Sequence, residues 1–304
     1  MRGIAKWEKI KKRSVSISDS LIENKRNRLE VLLDQKAHVL LDQKAQSLHK
    51  KRRYSIMYLI IQLGEVSLMI DIHCHLLYGV DDGPKTIEES VAMLEEARDQ
   101  GIEAMILTPH YRHGMFAYPK ETIEEHFLLL QQYAAKIGIG LALGTEYHVN
   151  GQIVEAMESG RCRTLAGSHY VLSEYSHATE FSYIYQMTQE MVLHGYIPVI
   201  AHAERYECMT DDLSRAKQLR ELGAWIQLNA DAILGLEGRA SKKYCKKMLS
   251  EGYVDVVASD SHGIKNRACH MADCRKLLTK KYDADYVRQL LEENPQKIIS
   301  DNVE

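Results

Sequence analysis

Two histidines one residue apart, His73 and His75, close the short apolar run MIDIHCH at 69–75, and the turn VDDGP follows at once. On a β-strand, residues i and i+2 project to the same face, so both imidazoles can reach one metal ion. The spacing recurs far down the chain, where VDVVASDSH (254–262) finishes with Asp260 and His262. Between these, AMILTPH (104–110) stops on His110, IGLALGTE (139–146) on Glu146, HYVLSEY (169–175) at Glu174, and YIPVIAHAE (196–204) at His202. Asp82 lies in the turn after the first run, where Gly83 and Pro84 bring the chain sharply back. A single His or Glu at a strand end is ordinarily a cap or a solvated edge. Five histidines and four carboxylates at successive strand ends are another matter, because so many like charges on one rim would repel unless cations balanced them.

One divalent ion takes roughly four to six ligands, so nine candidates with shared waters suit two or three ions. Imidazole and carboxylate without thiolate fits Mn²⁺, Fe²⁺ or Zn²⁺, and the richness in carboxylate favours Mn²⁺. Cys74, between the first two histidines, is expected to point away from them. Clustered ions lower the pKa of a bridging water and clamp a phosphoryl group, so hydrolysis of a phosphate ester is the expected chemistry. Arg205 in AHAERY and Arg267 in SHGIKNR strengthen it, since a guanidinium can fork onto two phosphate oxygens. His113, His126, His148, His169, His177, His194 and His270 fall in loops, on helices or at strand starts and are assigned no metal. CHMADCR (269–275) has the Cys-x5-Arg spacing of thiol phosphatases. It carries no glycine for an anion-cradling loop, and HMAD reads as the first turn of a helix.

The elements that must position these residues are legible as a rhythm. With AWIQLNA (224–230) there are seven apolar runs, the kind that form strands buried on both faces. Amphipathic stretches separate them: TIEESVAMLEEARDQG, KETIEEHFLLLQQYAAKIG, EFSYIYQMTQEMVLHG, DDLSRAKQLRELG and ASKKYCKKMLSEG, with only a short helix around 152–159 in the third interval. Thr86 and Glu89 have capping-box spacing, and most of the stretches end in Gly. The expected fold is a distorted βα barrel of seven strands, with a doubly wound open sheet as the alternative. In a parallel barrel every strand points the same way, so all the ligands meet at the C-terminal rim.

Charge divides the 304 residues in two. Residues 1–68 hold 15 Lys/Arg against 7 Asp/Glu, a balance of +8, whereas 69–304 hold 24 against 35, a balance of −11. The front segment contains the doublet LLDQKAHV/LLDQKAQS and no chemical constellation. It reads as a basic extension outside the catalytic fold, loosely ordered or helical, with Met69 as the natural first residue of the domain 69–304. A basic arm for nucleic acid or anionic lipid is the alternative. IMYLII (56–61) is far short of the roughly 20 residues that span a bilayer. Six scattered cysteines without a repeated CxxC suit a reduced cytoplasm.

The set MIDIHCH, VDDGP, TPH, GTE, SEY, IAHAERY and ASDSH resembles the polymerase-and-histidinol-phosphatase (PHP) superfamily. Within it the chain is most similar to the metal-dependent tyrosine phosphatases of the CpsB/CapC type, which belong to capsular and exopolysaccharide loci. The resemblance covers 69 to about 300. It implies a distorted seven-strand barrel and three metal ions. His73, His75, Glu146 and Asp260 would hold the first ion, Glu146, Glu174 and His202 the second, and Asp82, His110 and His262 the third. Arg205 and Arg267 would handle phosphate, and a metal-bound hydroxide would attack phosphotyrosine on the tail of a bacterial tyrosine kinase. The loop HYRHG is expected to bring basic residues beside the site; Arg112 fits that role better than His113. The rival readings are another PHP phosphoesterase acting on histidinol phosphate or a nucleotide, and a non-catalytic phosphotyrosine reader. Metal identity, oligomeric state and a general acid stay open.

Overall fold

The structure is a computed structural model that describes residues 68–116 and 118–301. The expectations for the basic front segment lie outside the described residues. Each of the seven apolar runs forms strand, and two are interrupted. The first gives β1 (Met69–Cys74), and the second gives β2 (Ile102–Leu107) and, beyond Pro109, β3 (His110–Tyr111). The third gives β4 (Gly140–Leu143) and β5 (Glu146–His148); the rest are β6 (Tyr170–Glu174), β7 (Ile197–Ile200), β8 (Trp225–Asn229) and β9 (Val256–Ala258). Proline has no N–H to give a ladder, which accounts for the break after β2. At Gly144 a Cβ would press on the Leu165 side chain at 2.9 Å, so the break after β4 is a place of close approach.

Every strand pairing is parallel. One ladder runs β1–β2–β4 and a longer one β3–β5–β6–β7–β8–β9. The ring closes where Asp260 N donates to His73 O and His75 N donates to Ser261 O, both at 2.9 Å. The result is the expected distorted barrel rather than an open sheet. Around it lie α1 (Ile87–Asp99), α2 (Lys120–Ile137), α3 (Ile153–Glu158), α4 (Phe181–Leu193), α5 (Glu207–Asp211), α6 (Ser214–Glu221), α7 (Ala230–Leu234) and α8 (Arg239–Ser250). Thr86 caps α1 by accepting from Glu89 N, and Gly138 ends α2 in the left-handed conformation. Helices α9 (Met271–Lys281), α10 (Ala284–Arg288) and α11 (Asn294–Ser300) complete the chain, the last two joined by a π-helical turn. CHMADCR enters α9, and its Cys269 is buried with its thiol pushed up by burial, which is no setting for a nucleophile.

Side-chain parity shows how the barrel aims its rim. Ala104 and Ile106, Ala142, Tyr170 and Leu172, Val199 and Ala201, and Val256 and Ala258 share one apolar cluster inside the ring, with Ile298 and Ile299 of α11 joined to it. Counting on by twos along β2, β4, β6 and β9 reaches His110, Glu146, Glu174 and Asp260, which therefore face inward, whereas His202 beyond β7 lies off this count. β1 breaks the rule. Ile70 and Ile72 belong to the inner cluster, yet so, by direction, do His73 and His75, while Cys74 packs in the outer core. The register of β1 against β2 shifts between Asp71 and Cys74, and this bulge turns the two histidines inward. Asp71 secures it: its Oδ1 accepts from His73 N (3.3 Å) and Ser259 N (3.0 Å), and its Oδ2 accepts from Ser259 Oγ.

Asp71→Ala removes the carboxylate that accepts from His73 N, Ser259 N and Ser259 Oγ. It is expected to cost about 3 kcal/mol in urea denaturation of the metal-free protein. Unchanged stability and unchanged metal affinity would remove Asp71 from this role.

Candidate metal centre

Six of the nine candidate ligands are buried (His73, His75, Glu146, His202, Asp260 and His262), His110 and Glu174 are half-buried, and Asp82 is exposed. All nine meet at the C-terminal rim. Their donor atoms fall into four groups, each within 4.8 Å: His73, His75 and Asp260; His73, Glu146 and His202; His110, Glu146 and Glu174; and His75, Asp82, His110 and His262. Glu146 is the centre of the cage. Its Oε1 lies 2.8 Å from His202 Nε2 and 3.3 Å from His73 Nε2, and its Oε2 lies 2.9 Å from His110 Nδ1 and 3.1 Å from His75 Nε2. The grouping implied by the resemblance differs in several respects: His75 joins Asp82, His110 and His262, and Glu146 is not grouped with His75 and Asp260. His110 reaches both Asp82 and the Glu146–Glu174 pair, and His202 gathers with His73 and Glu146 instead.

The histidines are held from behind. His73 Nδ1 is 3.1 Å from Gln227 Oε1, an obligate acceptor, so Nδ1 carries the proton and Nε2 presents a lone pair. His75 Nδ1 likewise donates to Asp81 Oδ2 at 2.8 Å, and His262 Nδ1 to the Asp260 carbonyl at 2.9 Å. His202 Nδ1 faces the Tyr206 hydroxyl at 3.2 Å, which can donate or accept; Nε2 is free to bind a metal only when Tyr206 accepts. Asp81 also accepts from His110 N and Gly83 N, fixing the turn that carries Asp82. A Cβ at position 83 would collide with the His75 carbonyl, so only glycine fits there.

Whether these residues suit a metal can be judged from their unmade bonds. His73 Nε2 and His75 Nε2 lie 3.3 Å apart, both aimed into the same small space. His110 Nδ1, Glu146 Oε2, Glu174 Oε2 and His262 Nε2 are buried atoms without a well-aligned hydrogen bond. Such a set is costly when left unpartnered and is what divalent cations complete. The titration of the groups agrees. Burial works against charge on His75 and His110, yet nearby carboxylates, Asp81 for the first and Glu146 for both, raise them to about 9 and about 11. Burial and the neighbouring Glu146 push Glu174 up to about 7, while burial and His75 bring His262 down to about 4. Protons thus sit where cationic charge belongs, and a bound ion would take their place.

Asp260 is the hinge between cage and phosphate handling. Arg205 Nη1 (2.8 Å), Arg267 Nη2 (2.9 Å) and Asn229 Nδ2 (2.9 Å) all converge on it. His73 and the two arginines overcome its burial and hold it well below the usual carboxylate range. Glu237 fastens the far edge of Arg205 at 2.9 Å. Three of the five non-glycine residues with positive φ among those described are His202, Asp260 and Arg267, so the backbone is strained at the site itself. Arg112 is half-buried near Glu174, its guanidinium in no ion pair among the described residues, while His113 is exposed. Cys74 points away, its Sγ 3.5 Å from Ile106 O. The histidines assigned no metal join none of the four groups; His126, for one, bonds Tyr78 O, and His270 bonds Asp231. Asp81, Gln227, Asn229, Tyr206 and Glu237 are the functional neighbours that the motifs did not single out. Gln227 and Asn229 left one trace, an i, i+2 amide pair in an otherwise apolar run.

A parallel barrel with an imidazole–carboxylate cage on its C-terminal rim belongs with the metal-dependent hydrolases. A family model described as capsular polysaccharide synthesis, CpsB/CapC, matches residues 69–300, and the chain belongs to that family. It is 35% identical over 242 residues to the tyrosine-protein phosphatase CpsB of Streptococcus pneumoniae, covering 77% of this chain and all of that one. It is 30% identical over 233 residues to the tyrosine-protein phosphatase YwqE of Bacillus subtilis, covering 76% of this chain and 91% of the relative. A crystal structure from work on YwqE and CpsB, described as unique metal-dependent tyrosine phosphatases, superposes with a TM-score of 0.70 at 28% identity. The match spans 77% of this chain and 96% of that one.

Removing the outer partner of His75 tests the arrangement. Asp81→Ala is expected to weaken Mn²⁺ binding about 10–100-fold by calorimetry, and Asp81→Asn less, because the amide oxygen still accepts from Nδ1. Equal affinities in all three proteins would contradict this.

Proposed function

We propose that this chain is a metal-dependent tyrosine phosphatase that acts on the phosphotyrosine-bearing tail of a bacterial tyrosine kinase and so regulates capsule or exopolysaccharide synthesis. One observation carries the reading: two arginines converge on Asp260, a member of the cage, at an open rim. We assign His73, His75, Asp82, His110, Glu146, Glu174, His202, Asp260 and His262 as ligands of three divalent ions, with Mn²⁺ favoured over Fe²⁺ or Zn²⁺ by the number of carboxylates. Bound there, the ions supply a nucleophile from water at neutral pH and neutralise charge on the phosphoryl oxygens.

The chain's own residues do the rest. Arg205, braced by Asp260 and Glu237, offers a planar guanidinium already oriented for the equatorial oxygens. Arg267 approaches from the β9 side with its side chain 42% exposed, beside Asp82 at 45%. A rim this open admits a tyrosine on a protein tail, where a small phosphate ester would meet few enclosing walls. The departing phenolate has a conjugate acid of pKa about 10 and needs less protonation than an alkoxide. The catalytic domain is 69–304 with residues 1–68 outside it, a division supported by a family match that begins at 69. Cytoplasmic residence is supported by six free, buried cysteines. Among the described residues no helix is long and apolar enough to cross a membrane.

The full chain with Mn²⁺ is expected to hydrolyse a phosphotyrosine peptide, to lose activity in EDTA and to regain it with Mn²⁺, while a thiol-alkylating reagent leaves it intact. Arg205→Ala is expected to lower kcat/KM about 100-fold, with partial recovery in Arg205→Lys. Turnover that persists in EDTA, or faster turnover of histidinol phosphate or a nucleotide than of the peptide, would overturn the assignment.

A further inference from the structure

Helix α8 carries Arg239, Lys242, Lys243, Lys246 and Lys247, all exposed. At about 100° per residue they fall on one arc of about 140°. The opposite face, with Tyr244, Cys245, Met248 and Leu249, is spent in the core. Among the described residues none of the five cations pairs with a carboxylate, although the region 69–304 has an excess of 11 acidic charges; elsewhere Arg220, Arg275 and Arg288 all find partners. Lys242 Nζ donates to the Leu234 carbonyl at 2.7 Å and to no acid. Arg239/Lys243, Lys242/Lys246 and Lys243/Lys247 are like charges at i, i+4, a spacing that disfavours the helix. A basic face kept at that cost and left unpaired is suited to a polyanion from outside.

The helix begins at the catalytic rim. Glu237, two residues before Arg239, is the residue that braces Arg205. Resting on the phosphotyrosine reading above, we propose that the basic face of α8 docks an acidic stretch of the phosphoprotein substrate, remote from the residue being hydrolysed. Residues 1–68 of this chain, at +8, are excluded as the occupant by their charge. A bilayer is disfavoured because the apolar side chains of α8 are buried and none remains to insert. The 12-residue helix is about 18 Å long. An extended spacer of about six residues therefore carries a chain from the site to the lysines.

The test uses the full chain with Mn²⁺ and two phosphotyrosine peptides, each with a neutral six-residue spacer leading either to a run of Glu or to a run of Gln, placed on either side of the tyrosine. The Glu peptide is expected to show a KM roughly ten-fold lower at low ionic strength, with kcat unchanged and the advantage lost at high salt. The triple variant Lys243→Glu, Lys246→Glu, Lys247→Glu is expected to erase the difference and to leave turnover of the Gln peptide intact. Equal KM values in the parent chain, or a preference that survives in the variant, would overturn the docking site. So would binding to phosphatidylserine vesicles that the variant loses, without any peptide preference. Fluorescence anisotropy of the labelled, unphosphorylated Glu peptide separates the two readings. Tighter binding to the parent chain than to the variant upholds the docking face even if no phosphotyrosine peptide is hydrolysed, a result that would sink the phosphatase reading alone.

Discussion

A single carboxylate oxygen, Asp71 Oδ1, accepts from both His73 N and Ser259 N, residues at opposite ends of the domain sequence. The bulge it secures decides which way β1 presents its side chains. A strand shifted by one residue turns every side chain to the other face, so without the bulge Cys74 would point into the barrel and His73 and His75 out of it. The same bonds help to close the ring, because β1 and β9 meet through Asp71–Ser259, His73–Asp260 and His75–Ser261. Barrel closure and orientation of the histidine pair are therefore one event. Burial makes the Asp71 carboxylate costly and pushes its pKa up, and the donors of Ser259 and His73 offset part of that cost.

The electrostatics of the rim follow from the same economy of shared groups. Glu146 serves four imidazoles and Asp260 serves two arginines, an amide and His73. Sharing keeps the number of buried charges down, but it couples the parts. A shift of Asp260 moves both guanidinium groups, so the arms that would hold phosphate and the cage that would hold metal cannot drift apart. The amides of β8 reinforce this: Gln227 Nε2 donates to Asn229 Oδ1 at 2.7 Å, linking the partner of His73 to the partner of Asp260. The one apolar run of the seven without a candidate ligand thus supplies the strand that registers its neighbours.

What was legible in the sequence was the set of strand-end residues, because a His, Glu or Asp interrupting a Val/Ile/Leu run stands out and period-2 counting says which face it shares. That logic singled out eight of the residues that the structure gathers at the rim, and the seven-unit barrel with them; Asp82 came from the turn after the first run. It could not find the bulge. MIDIHCH reads as a flawless alternation that puts Asp71 on the histidine face, whereas Asp71 faces outward with Ser259. Period counting assumes an unbroken strand, and the bond that breaks it comes from 188 residues away. Nor could spacing tell Asp81 from Asp82. One orients His75 from a buried position and the other reaches the open side of the cage, and only the turn made by Gly83 separates them. The C-terminal helices were obscure for a different reason: they carry no chemistry, and the contribution of Ile298 and Ile299 to the barrel interior depends on packing alone.

The cage is graded in depth, and the grading bears on how substrate meets it. His73, His75, Glu146 and Asp260 are sealed and backed by Gln227, Asp81 and Asn229, so their geometry is fixed before anything binds. Asp82 and Arg267 are the exposed members, 3.5 Å apart on two different loops, and His262 lies 3.3 Å from Asp82 beneath them. Exposed ion pairs contribute little to stability, so an arriving anion can exchange for Asp82 on Arg267 at small cost. The deep half can thus set the position of the ions while the shallow half yields to the substrate. A barrel supports that division naturally, since strands hold the floor rigidly and the loops above them are free to differ.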